Sequence, residues 1–430
     1  MTQIMSTLAP TLRTGNVAGM KGRPMRRNLS STFNRRTFGA IAAAGVLAAS
    51  LTACGANAAG GGTEAYKVGV LVGLTGSYAA LGEPERKAIE LYFEDVNASG
   101  GVNGKKVELV VLDSTSDEGN AVNQLRKLAT QEQVHAVLGP SSSGESIALK
   151  SFAKSLKLPV ISLASSSAIV SPAAEATYMF KEYTDTKLSL QAQLALAKDK
   201  GWTKIALLAT NDGYGQDAVK TIEPLVKEAG VELVANEVFN ATSTDVTAQL
   251  SKIASAAPDV VLVWAVNPAN AIVAKSAASI NFKPILFHSP GAGSPAYIDN
   301  AGAAGENTLL QGSKVLAAAD VKESDPQYKV VRNLVDKYTA KYNEAPGQYS
   351  ANGWDGAMLL ENALKNLKSE PSGLQDTRDA IRDSLENNTK DLTAVNAIYT
   401  FTPEYHGPTG LTGLTVLAVK DGKFVVEKTY

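Results

Sequence analysis

Two serine clusters are the residues in this 430-residue chain whose type and spacing most readily do chemistry. Gly139-Pro140-Ser141-Ser142-Ser143-Gly144 and Ala164-Ser165-Ser166-Ser167 each follow a short apolar run and lead into a helical or turn-like stretch. Hydroxyls grouped at a helix N-terminus, beside its free N–H groups, receive an anionic or polar ligand without a full counter-charge. Ser is also a preferred N-cap, but a cap needs one serine and each junction offers three. Ser142, Ser143, Ser165 and Ser166 are therefore read as ligand contacts, with Ala164 beside them. Another junction, Asn211-Asp212-Gly213-Tyr214-Gly215, holds Tyr214 between two glycines at a helix rim; its plain alternative is a surface tyrosine beside a turn. Val266-Asn267-Pro268 and His288-Ser289-Pro290-Gly291-Ala292-Gly293 bring Asn267 and His288 to two further junctions. His288 is equally readable as a hydrogen-bonded loop histidine. Asp117 reads as a helix N-cap.

Several chemistries lack their residues. The glycine-rich stretch 73–82 has no G-x-G-x-x-G, and no Walker-type phosphate loop occurs. Neither serine cluster is a G-x-S-x-G nucleophile elbow, and no signature places a nucleophile–His–acid set. A single Cys excludes an intramolecular disulfide framework and a Cys-based zinc cluster. The three His (135, 288 and 406) are scattered, so no metal site, cofactor or catalysis is expected. With 41 Lys+Arg against 42 Asp+Glu, the net charge of -1 carries no basic excess for nucleic acid.

The elements that must position these junctions alternate strand and helix. Apolar runs at 67–72, 107–112, 136–138 and 159–162 are separated by helical spacing over 84–97, 120–130 and 144–156. A second series has strands at 205–209, 232–238, 260–264 and 284–287, with helices over 215–229, 245–256 and 269–280. Longer helices follow at 327–342, 349–367 and 376–385, then strand-like runs at 397–401, 414–420 and 424–428. Strands that are apolar throughout rather than alternating predict parallel sheets covered on both faces. Two such series predict two α/β lobes.

The N-terminus has a different character. Seven basic residues precede Cys54 with no acid before Glu64, leaving 34 basic and 42 acidic residues, a charge of -8, for the remainder. Arg35-Arg36 followed by the apolar stretch 40–51 reads as an export signal of twin-arginine type, too short and too rich in Ala and Gly for a membrane span. Leu51-Thr52-Ala53-Cys54 looks like a bacterial lipobox, in which the Cys receives a diacylglycerol. Residues 55–63 read as a flexible tether, and translation is expected to start at Met20 or Met25.

The stretch from 66 to 430 resembles the branched-chain amino-acid-binding proteins of bacterial ABC importers. The resemblance is carried by LTGSYAALG (74–82), FEDVNASGGVNGKKVELVVLDSTSD (93–117), LGPSSSG (138–144), LPVIS (158–162), NDGYG (211–215), 249–259 and FTPEYHG (401–407). It implies a type I periplasmic-binding fold: two doubly wound parallel-sheet lobes joined by three crossover hinges, near 181–186, 311–315 and 403–407. The implied organisation is an export segment (1–53), a tether (54–65), an N-terminal lobe (66–184 with 316–402) and a C-terminal lobe (185–315 with 403–430). It also implies that Ser143 holds a ligand carboxylate, helped by Ala164 and Ser166. Tyr214 then closes over the ligand, and Tyr78 and Leu81 line the pocket. Amino-acid binders of the family add a second-lobe acid for the ammonium group; here Pro290 stands at that position and no acid lies in 285–296. The cysteines that pair in some members are absent, with Thr115 and Ser142 near their positions.

The expected function is a lipid-anchored extracytoplasmic receptor that captures an amino acid, amide, urea or organic or aromatic acid by hinge closure. Its partners would be the solute, ABC permease and ATPase subunits, and the membrane through Cys54; it would act as a monomer. The alternatives are an extracytoplasmic sensor acting on a membrane receptor or kinase, and an α/β hydrolase.

Overall fold

Runs of two to eight residues, mostly apolar, become strands, and the amphipathic stretches between them become helices that cover both faces. The computed structural model describes residues 65–367, 371–411 and 413–430; the expected export segment, Cys54 and the tether to residue 64 lie outside the described residues. In chain order the elements are β1 (Tyr66–Val72), α1 (Ala79–Ala98), β2 (Val107–Asp113), α2 (Glu118–Thr130), β3 (Ala136–Leu138), α3 (Ser143–Leu156), β4 (Val160–Ser162) and β5 (Met179–Lys181). Then come α4 (Thr186–Asp199), β6 (Lys204–Thr210), α5 (Gly213–Ala229), β7 (Glu232–Phe239), α6 (Thr247–Ser255), β8 (Val260–Trp264), α7 (Ala269–Ser279), β9 (Ile285–His288), α8 (Pro295–Ala301) and β10 (Leu309–Gly312). The chain ends with α9 (Tyr328–Tyr342), α10 (Gln348–Lys365), α11 (Leu374–Asn388), β11 (Leu392–Thr393), β12 (Ile398–Tyr399), β13 (Thr415–Lys420) and β14 (Lys423–Thr429).

The first lobe is built on a parallel sheet of order β2-β1-β3-β4-β5. The second lobe's sheet runs β14-β13-β10-β9-β8-β6-β7. Its members β6 to β10 are parallel, while β13 and β14 pair antiparallel at one edge, so this sheet is mixed rather than wholly parallel. In each sheet the order reverses, between β1 and β3 and between β6 and β8. Ligands bind outside the carboxyl ends of strands at such points.

Packing follows the pleat. Val68, Val70 and Val72 face Ile89, Phe93 and Leu360 on one side of the first sheet, so α10 returns late in the chain to cover that face. Leu71 and Val137 face Leu125, Leu128 and Leu149 on the other. A buried side chain of this kind contributes about 1.5–3 kcal/mol. The edge strand β2 buries Val107 alone, so it is not covered on both faces as its run suggested. Residues 397–401, read as one strand, form half of a two-residue hairpin with β11. Helices α4 and α8 and strands β5, β10 and β11 have no counterpart among the expected elements.

Candidate functional site

The three serines after β3 have three different jobs. Ser142 is the N-cap of α3: its Oγ accepts from the Glu145 N–H (3.3 Å) while its backbone N–H donates to the Glu145 carboxyl (3.3 Å), a reciprocal capping box, and its hydroxyl donates to the same carboxyl (2.6 Å). Ser141 accepts from the Gly73 N–H (3.2 Å) and donates to the fully buried Glu85 (2.5 Å). Ser143, the first residue of α3, accepts from the Ser166 N–H (3.2 Å). Only glycine fits at 139, where φ is +111° and a Cβ would stand 1.9 Å from the Leu71 carbonyl oxygen. That close approach seats the loop leading into α3 against the end of β1.

These serines open onto a cavity of about 520 Å³, open solvent included, between the lobes at the carboxyl ends of both sheets. The first lobe contributes Tyr78, Leu81, Ser141–Gly144 and Leu163–Ser165. The second contributes Asp212, Tyr214, Val266, Pro290 and Gly291. Tyr183, Gln348, Tyr349 and Asn352 complete the wall. Tyr214 is 8% exposed, leans on Trp264 at 5.5 Å between ring centroids, and has its phenol raised above the ordinary value by burial. The Tyr349 hydroxyl donates to the Gly291 carbonyl (2.8 Å). Burial, then the charges of Asp212 and Glu145, push the Tyr78 phenol up to about 12. Asp212 is the N-cap of α5, with Oδ1 accepting from the Gly215 N–H at 2.9 Å. Among the described residues it is the sole charged side chain in the lining, and no cation stands there.

Of the residues singled out from sequence, Tyr78, Leu81, Ser142, Ser143, Ala164, Ser165 and Tyr214 come together around this cavity. Ser166, Asn267 and His288 do not. Ser166 is fully buried and its hydroxyl accepts from the Ala168 N–H, capping a short 3-10 turn. Asn267 braces its neighbouring loop, donating to the Ser294 hydroxyl (3.0 Å) and the Ala292 carbonyl (3.4 Å). His288 lies in the second-lobe core, paired with Asn270 (3.0 Å) and Tyr297 (2.9 Å), and burial pushes its pKa down to about 3. That is the hydrogen-bonded histidine of the alternative reading. Asp117 caps α2 as expected.

The lining residues missed by sequence reasoning are chiefly Tyr183, Gln348, Tyr349 and Asn352. A signal existed: Pro346-Gly347 immediately precedes α10, and Gln348, Asn352 and Asp355 then put polar groups into an otherwise apolar, buried helix. Among the described residues, no group of three or more His, Cys, Asp or Glu is arranged to hold a metal ion, and no helix is long and apolar enough to cross a membrane.

A family model described as Periplasmic binding protein matches residues 65–423. Leu/Ile/Val-binding protein homolog 7 of Brucella abortus (strain 2308) is 28% identical over 339 residues, covering 75% of this chain and 82% of the relative. An extracellular ligand-binding receptor from Rhodopseudomonas palustris HaA2 superposes with a TM-score of 0.78 at 26% identity, covering 84% of this chain and 99% of that one. The branched-chain amino acid transporter substrate binding protein LivJ from Streptococcus pneumoniae, solved with isoleucine, gives a TM-score of 0.70 at 24% identity over 85% of this chain and 98% of that one, a likeness of fold.

Proposed function

This chain belongs to the periplasmic binding protein family, and we propose that it is the lipid-anchored solute receptor of an ABC importer. It captures one small solute between its lobes and presents it to a permease, acting as a monomer. The reading rests on one observation: the N-terminus of α3, with Ser143 at its first turn, faces Tyr214 and Tyr349 across a cavity walled by both lobes. A solute with a carboxylate or carbonyl head fits the α3 end, and a compact apolar or aromatic body fits among the tyrosines, Leu81, Leu163 and Val266. Pro290 lines the cavity, so an amide, urea or organic acid without an ammonium group suits this wall; the names of the Brucella relatives keep Leu, Ile and Val as candidates. Contacts from two lobes favour the closed arrangement because the solute meets both walls only there.

The test is a thermal-shift panel of L-leucine, L-valine, acetamide, urea and benzoate. One chemical class should raise the melting temperature, and Ser143→Ala with Tyr214→Ala should abolish the rise. A rise that survives the double substitution sinks the site, and no rise from any class sinks the solute reading. The anchor rests on Leu51-Thr52-Ala53-Cys54; mature protein that releases no fatty acid on acid hydrolysis would refute it.

A further inference from the structure

Gln348 is 1% exposed, opens α10 and forms part of the cavity wall. A side-chain amide has two donor hydrogens and two acceptor lone pairs, and here all four are used. Oε1 accepts from the Ser313 N–H (2.7 Å) and the Tyr183 hydroxyl (3.3 Å). Nε2 donates to Asn352 Oδ1 (2.8 Å) and Asn396 Oδ1 (3.1 Å). A backbone N–H only donates, so Ser313 fixes which end of the amide is oxygen. The Gln348 backbone N–H donates in addition to the Gly293 carbonyl of the second lobe (2.8 Å).

The positions of these partners give the network its meaning. Tyr183 lies where the chain first leaves the first sheet, between β5 and α4. Ser313 lies where it leaves the second sheet, directly after β10. Asn396 sits in the β11–β12 turn, held by the buried Asp355 (2.7 Å to the Asn396 N–H) and reaching Glu182 beside Tyr183 (3.3 Å). One side chain of the cavity wall is thus bonded to two of the segments joining the lobes, and its backbone to the second lobe itself.

We infer that Gln348 is a positioning residue that couples occupancy of the cavity to the angle between the lobes. Its polar atoms are all committed, so a solute meets the face of its amide rather than its hydrogen-bonding atoms. A solute packed on that face holds the amide plane, and through it Ser313 and Tyr183, in the closed geometry. Opening the lobes separates Gln348 from Ser313 and Gly293. The inference rests on the solute-capture reading, but its bonds are testable without any solute.

Two substitutions separate coupling from mere support. Gln348→Met keeps length and packing and deletes all four side-chain bonds. Ser313→Pro replaces no lining residue: Ser313 has φ -75° and ψ 143°, within reach of proline, so it deletes the N–H given to Gln348 and puts a ring carbon against that amide oxygen. Ser313→Ala controls for the lost hydroxyl. Each full chain is titrated with L-leucine and with benzoate by calorimetry, and its radius of gyration is followed by small-angle scattering. Both Gln348→Met and Ser313→Pro should weaken binding about tenfold or more and reduce the compaction at saturation, while Ser313→Ala stays within about threefold. Unaltered affinity and full compaction in Ser313→Pro overturn the inference, because a purely supporting Gln348 requires that result. If neither compound binds the unaltered chain, those solute classes fail, and the coupling is read from amide exchange without solute. The Ser313 N–H should then exchange about tenfold faster in Gln348→Met; unchanged exchange overturns the inference independently.

Discussion

Closure should depend on a contact that touches no solute. Asp217 on α5 of the second lobe is 9% exposed, and its carboxylate accepts from the Ser167 N–H (3.0 Å) and, at 3.1 and 3.2 Å, from the Ser167 hydroxyl of the first lobe. Asp217→Ala deletes this bridge. A hydrogen bond to a charged group contributes about 1.5–3 kcal/mol, and the hydroxyl is shared between two oxygens at long range, so the bridge is worth about 2 kcal/mol. The bridge joins the lobes, so its loss falls on the closed state. Where the open state dominates without solute, the apparent Kd rises by the same factor, about 30-fold. Asp217→Asn keeps an amide oxygen for the Ser167 N–H and an NH₂ for the hydroxyl, so it should lose about 1 kcal/mol, about fivefold. Calorimetric titration with the panel compound giving the largest thermal shift measures both. The melting temperature without solute should move by less than about 3 °C, since the open state lacks the bridge. A Kd within about threefold of the unaltered chain for Asp217→Ala would refute the reasoning.

Other perturbations test the same closed geometry and its charges. A Cβ on Gly213 would lie 3.1 Å from Gly144 Cα across the lobes, and its three nearest neighbours outside its own helix all belong to the first lobe; Gly213→Val should weaken solute binding about tenfold or more and move the unliganded melting temperature far less. Equal affinity would mean that α3 and α5 do not approach so closely on binding. His288 has its pKa pushed down from 6.5 to about 3 by burial, so its stabilisation is fully present above pH 6.5 and is lost as pH falls through 3. His288→Gln should therefore lose less melting temperature than the unaltered chain between pH 6.5 and 4; equal slopes would contradict this. Asp355, raised to about 7 by burial, stabilises below its unfolded value of 3.8 and loses that as pH rises through 7, identically in both chains. Glu85 and Glu145 are raised by burial; an anion placed above them raises them further, so benzoate binding should take up protons while acetamide binding does not. Titrations in buffers of different ionisation enthalpy decide this, and proton-neutral benzoate binding would count against a carboxylate at α3.

The strand-to-helix junctions were legible because their chemistry is local. Ser141–Gly144 follows a run that becomes β3, and Tyr214 is followed by a glycine that the first turn of α5 requires: a Cβ on Gly215 would lie 2.0 Å from the Thr210 carbonyl oxygen. Helix α4 was illegible for the opposite reason. It buries Leu190, Ala192, Gln193, Leu194, Leu196 and Ala197, which wrap most of its circumference, so no single apolar stripe marks it. Strands β5 and β10 have three and four residues, too few for periodicity to show. His288 and Asn267 stand at junctions of the right kind, yet their side chains turn into the protein, paired with Asn270, Tyr297 and Ser294. Junction position names the loop, and long-range partners decide which side chain the loop presents. Gln348 fell outside that scheme because its neighbours Tyr183, Ser313 and Asn396 are 165, 35 and 48 residues away.

How a wall without a cation could favour a carboxylate follows from the buried acids beneath it. Glu145 occupies the third position of α3, where an ionised carboxylate would oppose the helix dipole that an anionic solute needs. Glu85 lies under Ser141, with one carboxyl oxygen lacking any protein partner. Burial disfavours the charged form of both acids and raises their pKa values, that of Glu85 well above the ordinary carboxylate range. Ser141 and Ser142 are then anchored from below, leaving Ser143 and the free N–H groups of the first turn of α3 as the polar surface offered to a solute. Replacing Glu85 with an apolar residue would release Ser141 from its 2.5 Å partner, and with it the loop after β1 that carries Tyr78. The acid is therefore structural in its bonds, and the burial that disfavours its charge leaves the serine end of α3 better suited to an anion than an exposed carboxylate there would.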